Sequence, residues 1–591
     1  MALKRSRPKY RLSETYTALS LILFERVARK MAGTFQLDAV FKRAAINSHP
    51  VAYSARIVLN TTAAIAIVTV PLVAAALTIN LPMVVKVVIA LVAAIVPLLV
   101  LAFGFAYPYI KVSSRNTAVA NELPFFLVYA ATLFRGGVSL ERVVERVSEL
   151  KLFTGMRAEA QRILARYRFF GEDPITALEK IAIDHPNSRF RDVILGYTTT
   201  LRTGGDVLHY LQIRTEEILN NRMNDIRALV SRLASYLEAY VVFGVIVSLT
   251  VFVLFASMGA VGLAAGGSAG IVLPVGTTLD PMLPTIYNFV VVPAIGTLVL
   301  FAIHSTIPKS QISVREPLLV LLISLPIGAI IGVITALTLS PRLLGGVKGG
   351  IDLFALLVGL AAFTIAAFIP PAVDYYRISR KQKGLVRNTA SFLRDFSETR
   401  KTGLSPERCI INLSTRPYGA LSYAVRKAAA ALYSGIPVEV AVRKALRGVL
   451  DWFTLVVFRF LVDSISVGGG SPEIIDSLAR FTTVLSESEI ELKRRLKAYV
   501  ILPYFGSVLL ASSPVIILWM LTSFAGTVQP AGLIPLITSL AIGSYINSLI
   551  MGLIAGVTSE QTIYAGFRHI VVMCLLSISA VIVTLYTIGV S

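Results

Sequence analysis

The stretch LPFFLVYAATLFRGGVSLERVVERV, Leu123 to Val147, decides the fold, because the chain repeats its pattern as TASFLRDFSETRKTGLSPERCIINL from Thr389 to Leu413. At an offset of 266 the two copies pair Phe126 with Phe392, Leu127 with Leu393, Gly137 with Gly403, Ser139 with Ser405, Glu141 with Glu407 and Arg142 with Arg408. Downstream, GEDPITALEKIA from Gly171 matches GIPVEVAVRKAL from Gly435, and Gly204-Gly205 matches Gly469-Gly470. Three landmarks in the same order mean that a whole unit was duplicated.

Both copies carry helix signals. SLERVVERVSEL sets Leu140, Val143, Val144, Val147 and Leu150 on one stripe, with Glu141, Arg142, Glu145 and Arg146 away from it. Asp173-Pro174, Ser405-Pro406 and Ser471-Pro472 each place an N-capping side chain before a proline suited to the first helical turn. Gly136-Gly137, Gly204-Gly205 and Gly468 to Gly470 break the helices at tight corners. Each copy is therefore expected to be a compact helical bundle of five or six helices, the last running on into the next membrane span.

Outward from these blocks the chain is apolar. Of 591 residues, 55% are apolar and only 15% charged, and the mean hydropathy of +0.73 marks an integral membrane protein. Nine apolar runs have the ~20-residue length that crosses ~30 Å of hydrocarbon. They lie near 57–79, 87–109, 237–257, 284–304, 317–338, 353–373, 498–522, 532–556 and 570–590. The fold class expected is an all-α membrane protein with two duplicated helical-bundle domains. Its parts are a basic segment 1–56, two spans in 57–109, the first domain 110–236, four spans in 237–373, the second domain 374–497 and three spans in 498–591. The first 54 residues show no signal-peptide core.

Lysine and arginine orient the spans. Short segments carry 14 basic residues on the side of the N-terminus (residues 1–56, Lys309, Arg315, Arg568) against Lys86, Arg342 and Lys348 on the other. This predicts a cytoplasmic N-terminus, cytoplasmic repeats and an external C-terminus. The net charge of +22 follows from that asymmetry, so no nucleic acid is needed as partner. Cys409 and Cys574 cannot make a disulfide framework.

The corners carry a resemblance. Leu123-Pro124, GGVSLERV and GLSPERC, GEDPITAL and GIPVEVA, and the Gly-Gly before a long helix resemble the type II secretion system F domain. The residues concerned are Gly136, Gly137, Ser139, Gly171, Pro174, Gly204 and Gly205 in the first copy. In the second they are Gly403, Ser405, Pro406, Gly435, Pro437, Gly469 and Gly470. The family comprises platform proteins of type IV pili, type II secretion, tight-adherence pili and the archaellum. The two-four-three arrangement of spans looks like its archaeal branch. The resemblance implies a non-enzymatic platform in the cytoplasmic membrane that receives a hexameric secretion ATPase and passes its motion to pilin-like subunits; a homodimer is compatible with such a core. Charges beside the corners are the expected docking face: Arg135, Glu141, Arg142 and Arg146 in the first repeat, Arg400, Lys401, Glu407 and Arg408 in the second. Solvated helix surface is the competing reading of each.

Other chemistry is absent. No Gly-x-x-x-x-Gly-Lys-Ser/Thr loop occurs, and GGVKGG, Gly345 to Gly350, lacks the hydroxyl residue. Gly266-Gly267-Ser268-Ala269-Gly270 fits a nucleophile-elbow string but lies in a Gly/Ala-rich loop without a histidine partner. No histidine or cysteine spacing suits a metal, and no cofactor is expected. The alternative reading is a multi-span transporter or channel with cytoplasmic regulatory domains. Against it, the runs hold almost no ionisable residues, while Asn288, Ser544 and Asn547 are explained by hydrogen bonds between helices. Gly328-x-x-x-Gly332 and Gly552-x-x-x-Gly556 permit close helix approach, within the chain more readily than between copies. The basic clusters at Arg377–Lys383 and Lys493–Lys497 suit anionic headgroups, with ATPase docking as the competing reading.

Overall fold

The computed structural model describes residues 12–78, 83–251, 253–254, 287–307, 316–339, 353–468, 470–525 and 534–587. Gly469, the 266–270 string, GGVKGG and Lys309, Arg315 and Arg342 lie outside them. Every described element is helical. Among the described residues nine helices are long and apolar enough to cross a membrane, one on each expected run: Pro50–Ala74, Val96–Arg135, Val207–Val251, Tyr287–Thr306, Glu316–Leu339, Leu353–Lys401, Pro472–Ser513, Thr538–Glu560 and Ile563–Val583. The chain divides into two compact units, Met1–Glu216 and Glu217–Ser591.

In the first unit α1 (Leu12–Thr34) and α2 (Leu37–Ala44) precede α3 (Pro50–Ala64), which passes through a π-turn, Ile65–Thr69, into α4 (Val70–Thr78). Helix α5 then runs unbroken from Met83 to Arg135, 53 residues with Pro97, Pro108 and Pro124 inside it. At 1.5 Å per residue that is about 80 Å, more than twice the hydrocarbon thickness. One helix is thus both a span and the first element of the repeat. Its last part is apolar all round, and Glu122 to Leu133 are buried without interruption, as a central post must be. Around it stand α6 (Leu140–Glu149), α7 (Gly155–Phe169), α8 (Pro174–Ile183) and α9 (Ser188–Arg202). The expected α6 stripe is the buried one: Leu140, Val143, Val144, Val147 and Leu150.

Helix α10 (Val207–Tyr240) leaves the last corner of the first repeat and continues through a π-turn, Val241–Ile246, into a span. The continuous lever expected there is present. In the second repeat it is not: the corresponding α19 ends at Ala498 and a turn at Tyr499-Val500 precedes α20 (Ile501–Ala525). The second repeat comprises α14 (Leu385–Lys401), α15 (Pro406–Leu413), α16 (Ser422–Tyr433), α17 (Val438–Ala445), α18 (Trp452–Gly468) and α19 (Pro472–Ala498). Within the second unit Ile226, Val230, Leu233 and Tyr240 of α10 share one apolar cluster with Leu492 and Leu496 of α19. The Arg222 guanidinium meets the Glu489 carboxylate at 2.6 Å.

The remaining spans are α11 (Val292–Thr306), α12 (Glu316–Leu339), α13 (Leu353–Gln382), α21 (Ile534–Glu560) and α22 (Gly566–Thr587). Both small-residue motifs are used inside the chain. A Cβ on Gly328 would stand 2.8 Å from the Ala367 Cβ, and one on Gly556 would stand 2.1 Å from the Gly566 nitrogen. Only glycine lets α12 meet α13, and α21 meet α22, so closely.

Candidate functional site

The corners are built alike in both repeats. At the end of α5 the Gly137 N–H donates to the Phe134 carbonyl at 2.9 Å and the Val138 N–H to Leu133 at 3.2 Å. That closure needs a left-handed residue, and Gly137 has φ +81° with open space where a Cβ would be. Gly403 repeats it at +87°. The second corner has Gly171 at +64° and Gly435 at +75°, and the third has Gly204 at +69° and Gly470 at +62°. The pairing at the third corner is therefore Gly204 with Gly470, one residue away from the expected Gly204-Gly205 with Gly469-Gly470. The second repeat makes this corner with one residue fewer before the cap, Asp206 in one case and Ser471 in the other.

The caps stand where expected. Asp173 accepts from the Ile175 and Thr176 N–H groups, Ser405 from Arg408 and Ser471 from Ile474. Pro174 is the first residue of α8, whereas Pro437 occupies the cap position ahead of α17.

In the first repeat two corners distant in sequence meet at one cleft of about 360 Å³, walled by Ser139, Glu141 and Arg142 from one and by Tyr167 and Pro174 from the other. Arg142 projects from its rim, exposed, with no ion pair among the described residues, and Arg135 is exposed at the end of α5. Glu141 and Arg146 are half-buried. Glu145 on the cleft wall holds Arg168 at 2.8 Å. In the second repeat Arg408, the equivalent of Arg142, is likewise exposed and Glu407 half-buried. Arg400 is instead a brace: its Nε donates to the Gly470 carbonyl at 2.8 Å and its Nη1 to Leu404 at 2.5 Å, tying the first corner to the third. Lys401 is spanned between Glu398 at 3.1 Å and Asp476 at 2.8 Å. Of the eight expected charges, Arg142 and Arg408 are exposed rim cations, whereas Arg400 and Lys401 are held by groups of the same repeat.

Aromatic residues beside the second corner went unnoticed in the sequence. Phe169 is 85% exposed and Phe170 76%, just beyond Tyr167 on the cleft wall. At the offset of that corner, 264, Phe169 corresponds to Tyr433, which is 75% exposed. Large rings thus stand exposed at the same place in both copies. The signal was legible as RFFG and LYSG, two aromatic-ended helices before matching glycines. Around Tyr433, residues 422–447 contain Arg426, Lys427, Arg443, Lys444 and Arg447 against Glu439 alone, so that segment is strongly basic.

A buried network positions this bundle. Arg115 of α5 binds Glu159 of α7 in bidentate fashion at 2.8 and 2.6 Å, and Arg162 pairs with the same carboxylate. Arg115 also donates to the Arg43 carbonyl at 2.7 Å, at the end of α2. His185 lies beside them, its Nδ1 accepting from the Asn187 N–H at 3.0 Å and its Nε2 3.8 Å from Glu159.

Within the spans the neutral polar groups are largely paired. The Asn288 amide donates to the Ser539 carbonyl at 2.6 Å, Tyr240 to Asn547 at 2.7 Å, and Thr364 meets Tyr545 at 2.7 Å. Ser544 bonds back to Ala541 of its own helix rather than across helices. His569 lies inside α22 and bonds Tyr504 at 2.8 Å. Among the described residues no group of three His, Cys, Asp or Glu side chains could hold a metal.

Comparison with known proteins gives the corners a context. The family described as Type II secretion system (T2SS), protein F matches residues 126–255 and again 392–522. An uncharacterized protein of Methanocaldococcus jannaschii is 21% identical over 495 residues, covering 80% of this chain and 81% of its own length. No solved structure matches.

Proposed function

We propose, from the premise that this chain carries the type II secretion system protein F domain twice, that it is the multi-pass membrane platform of an archaeal type IV filament assembly or type II secretion machine. Its repeats face the cytoplasm, as does the N-terminus, with the C-terminus outside. A hexameric secretion ATPase engages the two corner surfaces, and pilin-like subunits meet the spans laterally on their way into a filament. The chain itself performs no catalysis; the ATPase supplies the energy.

The observation that carries this reading is the duplicated F domain. Its first copy is entered by α5 directly from one span and left by α10 into another, each running on as helix, so a push at a corner is carried along these helices toward the bilayer. The neutral, paired polar groups of the spans favour it over the transporter alternative.

Co-purification with a hexameric secretion ATPase from the same organism tests the reading. Reversing Arg142 and Arg408 to glutamate should weaken binding at least ten-fold, about 1.4 kcal/mol, and replacing Phe169 and Tyr433 by alanine should do the same. Failure of the wild-type chain to retain the ATPase would overturn the function; unchanged retention by both double variants would overturn the docking surface.

A further inference from the structure

We infer that α1 is an interfacial helix, seated in the headgroup–acyl boundary of one leaflet and selective for anionic lipid. Its composition changes along its length rather than around its circumference. Residues 15–24, TYTALSLILF, are uncharged and mostly apolar, and residues 25–30, ERVARK, carry four charges. A kink at Phe24, φ −127° and ψ 19°, separates the halves. In the apolar half Leu19 is 51%, Ile22 82% and Leu23 58% exposed. Such a face on a helix in water would be costly, at roughly 25 cal/mol for each Å² of apolar surface.

What covers it follows from where α1 is held. It packs along α3, and the Tyr16 hydroxyl donates to the Asn60 side chain, ten residues into the span that begins at Pro50. The hairpin of α1 and α2 cannot swing away. Tyr109 of α5 donates to the Phe35 carbonyl at 2.6 Å, and Ala32, Leu37 and Phe41 share a buried cluster with Ile57 and Phe105. The same level on α5 is marked by contact of Gly104 with Ile57 and by the exposed rings of Phe103, Tyr107 and Tyr109. Lys111 follows at once. An aromatic belt bordered by cations is where a span leaves the hydrocarbon. The apolar half of α1 therefore lies beside the edge of the acyl region, while Arg26, Arg29 and Lys30 reach phosphate level. The sequence had assigned this segment to the cytoplasm.

The test uses the full chain in phosphatidylcholine–phosphatidylglycerol nanodiscs, with Cys409 and Cys574, both buried, replaced by alanine. A polarity-sensitive fluorophore is placed at Ile22→Cys, at Leu19→Cys or at Arg29→Cys. Labels at 22 and 19 should be quenched by shallow spin-labelled lipid and several-fold less by aqueous iodide than the label at 29. Omitting phosphatidylglycerol should raise iodide quenching at 22. Equal iodide quenching at 22 and 29 would overturn the inference, because the face would then lie in water. Protection of 22 from both quenchers would overturn it equally, because protein would then be the cover. Neither result depends on any secretion partner.

Discussion

His185 shows how one residue can make a helical block sensitive to acid. Its ring is fully buried, and burial pushes it down to about 4 from the ordinary 6.5, against the pull of Glu159, with Arg115 and Arg162 opposing its charge. The unfolded chain takes up this proton near 6.5 and the folded chain resists until about 4. Stability of the first bundle is therefore lost as pH falls through that window, by up to about 3 kcal/mol, and is unaffected by this group above it. Thermal unfolding of the detergent-solubilised chain should show a first transition that moves down between pH 6.5 and 4. His185→Gln should remove most of that dependence. A wild-type transition that stays put would refute it. Legibility at this scale was uneven. The capping serines and the αL glycines announce themselves by residue type and spacing, whereas Arg400 looked like any surface cation and became a brace only when Gly470 arrived beside it.

Elements of the two repeats are duplicated in order but not in environment. The buried carboxylate of Glu122 on α5 accepts from the N–H groups of Thr154, Gly155 and Met156 and from the Thr154 hydroxyl, capping α7 from a distance in sequence. Its counterpart at the 266 offset is Asn388, which lies against Gly419 ahead of α16. A charged acceptor at a helix N-terminus is worth more than a neutral one. Glu122→Ala should destabilise α7 by about 3 kcal/mol, whereas Asn388→Ala removes no cap from α16, whose N-terminus has no side-chain cap. Hydrogen exchange would read this as a large loss of protection over 154–160 for the first variant and none over 420–426 for the second; equal losses would refute the asymmetry. Nothing in the sequence marks Glu122 as a cap, because it precedes the helix it caps by more than thirty residues.

At the scale of the molecule the structure joins the long helices that leave the third corners. Arg222 of α10 and Glu489 of α19 are both mostly buried at 2.6 Å, beside the shared apolar cluster. The ion pair ties the two helices together at this level. Arg222→Glu or Glu489→Arg alone should lower the melting temperature, and the charge-swapped pair should recover it, with a coupling of about 1–2 kcal/mol. Additive losses in the double variant would show that the bridge carries no coupling.

The sequence by itself determined the class of this protein, its nine apolar runs, the duplication and the three corners of each repeat. These depend on local physics: apolar length against bilayer thickness, helical period, and the need for glycine where φ is positive. Only the tertiary structure decided that one helix serves as both span and bundle post, that two corners close on a single cleft rimmed by Arg142 and Tyr167, that Arg400 is an internal brace, and that α1 lies along a span. Each of these is a meeting of side chains far apart in sequence, and packing, which periodicity does not encode, selects the partners.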